Sequence, residues 1–180
     1  MLIQKMLPLA AIAVLGLSAC QSNSQPSQAD NASAQPAAKT AAGKSSAGVG
    51  NCTLIQGDTA GAGRKVVYRC NGQAVLRSSQ AQALLDSNVP ISFGASGAAL
   101  KAGLITRQAA NRVGHTDEET CERAFINAAK KFQAVTLQHG GRRVSNFYSY
   151  YDRKPLRGGQ YECEVGTFHG RVVMKGDIAR

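Results

Sequence analysis

Five cysteines and three histidines hold most of the reactive chemistry open to this chain: Cys20, Cys52, Cys70, Cys121 and Cys163, with His115, His139 and His169. A thiol can attack, ligate a metal, join a disulfide or carry a lipid. Zinc needs closely spaced donors, and here no cysteine pair has C-x-x-C spacing and no histidine lies three to five residues from another. A serine nucleophile on a sharp elbow needs G-x-S-x-G, which Gly94-Ala95-Ser96-Gly97 does not provide. His139 sits where a helix should end, a position the helix dipole explains. His169, flanked by Gly166 and Gly170, is the histidine best placed for chemistry, because functional groups concentrate in loops. Glu162 and Glu164 read as the solvated face of a strand rather than as a catalytic pair. Gly43-Lys44-Ser45 ends like a phosphate-binding loop, but Ala38 stands where its first glycine should be. The expectation is a protein without a catalytic centre, metal or cofactor.

Cys20 has a different setting from the other four. Lys5 precedes an apolar run of 12 residues, Met6 to Leu17, and Ser18-Ala19 are small residues at a cleavage point. Spanning a bilayer takes ~20 apolar residues, so this run is too short. Leu17-Ser18-Ala19-Cys20 resembles a bacterial lipobox, which implies that Cys20 is acylated and anchors the mature chain. The competing reading is an ordinary secretory signal followed by a chance cysteine. Gln21, rather than Asp, favours the outer membrane. Residues 21–50 contain no aromatic residue, Ile or Leu, too little apolar area to offset ordering entropy. They read as a flexible tether of ~30 Å root-mean-square span and ~100 Å limit. The predicted organisation is therefore a signal at 1–19, a lipidated and tethered segment at 20–50, and a folded domain at 51–180.

Removing Cys20 leaves an even four cysteines in the domain, and an exported chain favours two disulfides. Among the three pairings, Cys52–Cys70 would close a local loop and Cys121–Cys163 would staple a helix to a strand; these are favoured. Loops of that size give ~3 and ~4 kcal/mol on the loop-entropy argument. Cysteine-bound zinc is the alternative.

The elements that must position these residues centre on one helix. Thr116 and Glu119 have capping-box spacing, and acidic residues crowd the first turn. Cys121, Phe125, Ala128, Phe132 and Val135 then form one apolar stripe, with Gly140 as the stop. This predicts a helix of ~6 turns reaching Gln138. Strands are expected over Lys65–Arg69, Val89–Phe93, Arg143–Tyr151, Gln160–Val165 and Arg171–Lys175, with a short helix over Ser79–Asp86. Pro155 and Gly158-Gly159 mark a turn before the last hairpin. The order predicts an α+β fold, the long helix packed on an antiparallel-rich mixed sheet.

Several stretches resemble a group of small exported bacterial proteins: Leu85-Asp86, Ile91-Ser92-Phe93-Gly94, the run from Thr116 to Phe125, Phe132-Gln133, Gly140-Gly141, Val144 to Tyr151, and Tyr161-Glu162-Cys163. Members often carry an "excinuclease ATPase subunit" label and are distantly similar to the YbjQ-type heavy-metal-binding-domain fold. The plan of anchor, tether and disulfide-bonded α/β domain is also similar to the RcsF-like stress-sensor lipoproteins, although the cysteine placement differs. The excinuclease label would require G-x-x-x-x-G-K-[ST] and Mg²⁺-binding acids, which this chain lacks.

Charge is the remaining signal. Residues 51–180 hold 18 Lys and Arg against 10 Asp and Glu, a surplus of eight. Arg142, Arg143, Arg153, Lys154, Arg157, Arg171 and Lys175 gather in the sequence around the last hairpin, beside Tyr148, Tyr150 and Tyr151. Such a surface could bind lipopolysaccharide, another glycan, or the acidic face of an envelope or host protein, with nucleic acid the least expected partner; a merely solvated basic surface is the competing reading. The expectation is an outer-membrane lipoprotein, facing either the periplasm or the surface, with a non-enzymatic binding or envelope-sensing role. A surface-exposed host-interaction factor, an adhesin or binder of anionic glycans, is the alternative. A cell-envelope hydrolase using His169 is the third.

Overall fold

The computed structural model describes residues 50–58, 61 and 63–180. The predicted signal segment, Cys20 and all of the predicted tether except Gly50 lie outside the described residues. Among the described residues no helix is long and apolar enough to cross a membrane.

In chain order the elements are β1 (Cys52–Gln56), β2 (Val66–Asn71), α1 (Gly72–Arg77), α2 (Ser79–Leu84), β3 (Ala99–Asn111), α3 (Asp117–Gln138), β4 (Arg143–Ser149), β5 (Gln160–Val165) and β6 (His169–Ala179). The fold is α+β: α3 lies on a six-stranded sheet of order β1-β2-β5-β6-β3, with β4 also paired to β6. Every strand pairing among the described residues is antiparallel; the one parallel bridge among them joins Ile91, outside the named strands, to Val144 of β4. Both expected disulfides form, Cys52–Cys70 and Cys121–Cys163. That removes the zinc alternative, since these sulfurs are not free to ligate.

α3 forms as its sequence dictates. Thr116 accepts the Glu119 backbone N–H at 3.2 Å and the Glu119 carboxylate accepts that of Thr116 at 2.9 Å, closing the capping box. At the other end Gly140 takes φ of 68°, a left-handed turn that glycine adopts without strain. The predicted stripe is buried at Cys121, Phe125, Ala128 and Phe132, with Val135 half-buried. It shares one buried cluster with Tyr161, Cys163 and Val165 of β5 and Val172 and Met174 of β6, the alternate residues of each strand. Phe125 stacks on Tyr161 at 4.3 Å between ring centroids, and Phe132 meets Phe147 edge-on at 5.1 Å. Two glycines allow this approach. A Cβ on Gly170 would lie 2.6 Å from the Thr120 methyl, and one on Gly176 would lie 3.2 Å from the Phe132 ring.

The structure corrects the sequence reading in several places. Val89–Phe93 is not a strand: Pro90 has no N–H to donate, and the segment bonds irregularly to β4 instead, through Pro90 O, Ser92 and Gly94 O. β1, α1 and the 13-residue β3 were not expected. β6 runs six residues longer than predicted, two at its start and four at its end. Glu162 and Glu164 are not a solvated face, because their side chains are only 14% and 17% exposed and both are ion-paired.

Candidate binding surface

A strand with one face on a helix turns its other residues away from it, so β6 presents Arg171, Val173, Lys175 and Asp177 on the face opposite α3. β4 reaches the same face through a bulge. Its pairing with β6 shifts between Ser145 and Tyr148, and Asn146 within the shift has φ of 51°. Asn tolerates this left-handed conformation better than most residues. The shift leaves Val144 and Phe147 both in the core, while Tyr148 stands opposite Lys175.

Two cations sit on two tyrosines there. The Arg157 guanidinium lies 4.3 Å from the centroid of the Tyr148 ring, and Lys175 Nζ lies 4.8 Å from that of Tyr150. The rings meet edge to face, 6.3 Å apart at 88°. Arg157 is fixed further by donating to Asn146 Oδ1 at 2.6 Å. Asn146 donates to Asp177 at 3.1 Å, and Asp177 also accepts the Gly103 backbone N–H at 2.7 Å. Ring faces attract a cation by about 0.5–1 kcal/mol at exposed sites without cancelling its charge. Neither Arg157 nor Lys175 has an ion-pair partner among the described residues, so both present a full positive charge at a fixed position.

The other predicted basic residues are placed differently. Arg171 pairs with Glu164 at 2.7 Å, and Lys65 approaches the same carboxylate at 3.5 Å. Tyr151 donates to Glu164 at 2.6 Å; burial, and then this bond, push its pKa up, so the phenol stays protonated. Arg143 stands opposite Ala179, at the far end of β6 from Arg171, a separation of ~26 Å along the strand. Its Nε is buried and lacks a partner. Arg142 is exposed beside it, and Arg153 and Lys154 are exposed in the turn after β4. Arg157 and Lys175 share the tyrosine ledge and Arg171 is neutralised nearby. Arg153 and Lys154 lie in the connection between Tyr150 and Arg157, and Arg142 and Arg143 lie towards the far end of β6.

The histidines gather no machinery. His169 opens β6 opposite Asn111, His139 caps α3, and His115 Nδ1 is 3.6 Å from Glu119. Among the described residues no group of three His, Cys, Asp or Glu side chains could hold a metal.

Sequence reasoning missed two groups. Asp117 gathers Arg64, Tyr68 and Arg112 around one carboxylate, at 2.6, 2.7 and 2.8 Å. Its position in the first helical turn was the available signal, but its partners come from elsewhere in the chain. Arg123 lines a cavity between α2, β3 and α3. Its helical spacing offers Glu119 as a partner, but the capping box already holds that carboxylate. Comparison with family models, with curated proteins and with solved structures finds no match for this chain.

Proposed function

We propose that this chain is a lipid-anchored, non-enzymatic binding protein of the bacterial outer membrane, whose sheet face engages an anionic envelope partner. The observation that carries the reading is the pair of unneutralised cations, Arg157 and Lys175, seated on Tyr148 and Tyr150. A fixed cation beside an aromatic ledge suits a phosphate or carboxylate borne on a sugar ring or an acidic peptide. The lipobox-like ending at Cys20 supports the anchor, and the two disulfides suit an oxidising compartment. The envelope-sensing form of this role follows the RcsF-like plan of anchor, tether and domain.

Crosslinking in intact cells, followed by purification of the full chain, tests the reading. A partner should be recovered above a tether-only control and lost in the R157E/K175E double variant, whose melting temperature should stay near that of the parent. Recovery no better than the control, or undiminished in the double variant, sinks it. Protease treatment of whole cells fixes the orientation: a periplasmic domain is protected, and a surface-exposed host-interaction factor is cleaved.

A further inference from the structure

The tyrosine ledge is the middle of a wider basic face. On β3, Ala110 is buried in the core towards α3, so Arg107, at odd spacing from it, lies on the opposite side with the ledge. Arg107 stands directly opposite Val173 of β6, and on the far side of β6 the Tyr150 N–H donates to Val173 O at 2.8 Å. Arg107 and Tyr150 are therefore ~10 Å apart across β6, with Lys175 two residues along that strand. Arg107, Arg153 and Lys154 are exposed, and like Arg157 and Lys175 they have no ion-pair partner among the described residues. The strand acids of this face are engaged: Glu164 by Arg171 and Tyr151, and Asp177 by Asn146 and the Gly103 N–H. Asp152 is the one acid in the 150–157 connection. Among the described residues, three that are not glycine take positive φ: Asn146 at 51°, Asp152 at 49° and Arg153 at 61°. All three fall between the β4 bulge and Arg157. Asn and Asp tolerate this conformation through short polar side chains, whereas Arg does not, so the fold holds Arg153 against its backbone preference. Backbone held in this way clusters where ligands are engaged.

We propose that this face binds an acidic polysaccharide laid across β3, β6 and the connection after β4, with Arg107 and Arg153 as outer contacts flanking the ledge. The inference rests on the ledge reading above and names its ligand. Two features choose the class. Stable protein interfaces have an apolar, charge-depleted centre; the centre here is Lys175, and Ile105 and Val173 are single apolar residues beside it. Lying in a membrane takes exposed apolar side chains, and residues 150–157 carry no exposed large one. Separated cations suit a polymer that repeats its anion, because each further contact is made intramolecularly and adds to the affinity of the first. The guanidiniums suit its carboxylates, which they meet with two parallel N–H groups.

Calorimetric titration of the full chain with galacturonate oligomers tests the assignment. The octasaccharide should bind at least tenfold more tightly than the disaccharide, which the ledge alone can hold. R107Q/R153Q should weaken the octasaccharide at least fivefold and leave the disaccharide within twofold. Lys130 and Lys131 are exposed on α3, on the other side of the sheet, so K130Q/K131Q removes the same charge and should leave both affinities unchanged. R157E/K175E should lose both ligands. Octaglutamate, of equal charge, should bind at least tenfold more weakly than the octasaccharide. Equal affinity for the two saccharides would overturn the proposal, as would undiminished octasaccharide binding in R107Q/R153Q or an equal loss in the charge-matched K130Q/K131Q. Octaglutamate matching the octasaccharide would replace the polysaccharide with an acidic peptide. No octasaccharide binding up to about 10 mM would also overturn it; a crosslinked partner still lost in R157E/K175E would then leave the ledge reading standing and remove only this ligand.

Discussion

Asp117 shows how much a single side chain can organise. It stands in the first turn of α3, where the helix dipole favours a negative charge, and there it accepts Arg64 from before β2, Tyr68 from within β2 and Arg112 from just after β3. Burial by itself would raise its pKa. The bonds from Arg64, Arg112 and Tyr68 outweigh that and hold the carboxyl below its ordinary 3.8. A carboxyl easier to ionise in the folded protein stabilises it fully above about pH 5, and that contribution drains away as the pH falls through 3.8 towards the lowered value. D117N keeps the shape and removes the charge, leaving two guanidiniums without their anion. We expect it to cost about 2 kcal/mol at pH 7 and distinctly less at pH 3. Urea unfolding at the two pH values checks this, and an equal loss at both would mean that the charge is not what matters.

At the scale of elements, α3 and β6 depend on how closely they approach. Gly170 sits where a Cβ would press to 2.6 Å from the Thr120 methyl, while the Thr120 hydroxyl donates to Thr116 O at 2.7 Å. G170A should cost about 1–3 kcal/mol through overpacking. T120S removes the methyl and keeps the hydroxyl, so the G170A/T120S pair should recover much of that loss. A double-mutant cycle by thermal unfolding reads the coupling, and simple additivity would show that the contact does not limit the approach. The sequence was most legible in such locally determined elements. α3 carries its own cap, stripe and stop, and β5 its own alternation. β3 does not: Ala99–Asn111 is rich in Ala, with Lys101, Gln108 and a glycine of positive φ at Gly103, and most of it is exposed. It is a strand because β6 pairs along its length, and a partner distant in sequence leaves no local mark. The ledge was half legible for the same reason. Its tyrosines and cations are plain in the sequence, but their pairing needs the Asn146 bulge and the return of Arg157 from the following loop.

Across the whole molecule, the two disulfides do unequal work. β6 pairs with β3, β4 and β5 and lies under α3, and Cys121–Cys163 ties that helix to β5 inside the core, with both cysteines wholly buried. β1 is peripheral. It pairs only with β2, and Thr53, Leu54, Ile55 and Gln56 are all exposed. Its other attachments are the Cys52–Cys70 bond and the contacts of Asn51 with Glu118 and Glu122. Releasing either crosslink frees the unfolded chain, by ~3 kcal/mol for the 18-residue separation and ~4 kcal/mol for the 42-residue one. The folded state answers the two losses differently. Without Cys52–Cys70, β1 can fray while the rest stays packed; fraying lowers the free energy of the native ensemble and offsets part of the loss. Without Cys121–Cys163 nothing peripheral can give way, and two truncated side chains also leave space in the core. C52A/C70A should therefore lose less than ~3 kcal/mol, with faster amide exchange confined to residues 52–56 and their β2 partners. C121A/C163A should lose at least ~4 kcal/mol, with exchange accelerated throughout α3, β5 and β6. Guanidinium unfolding combined with hydrogen exchange separates the cases. Global acceleration in C52A/C70A would show that β1 belongs to the cooperative core after all.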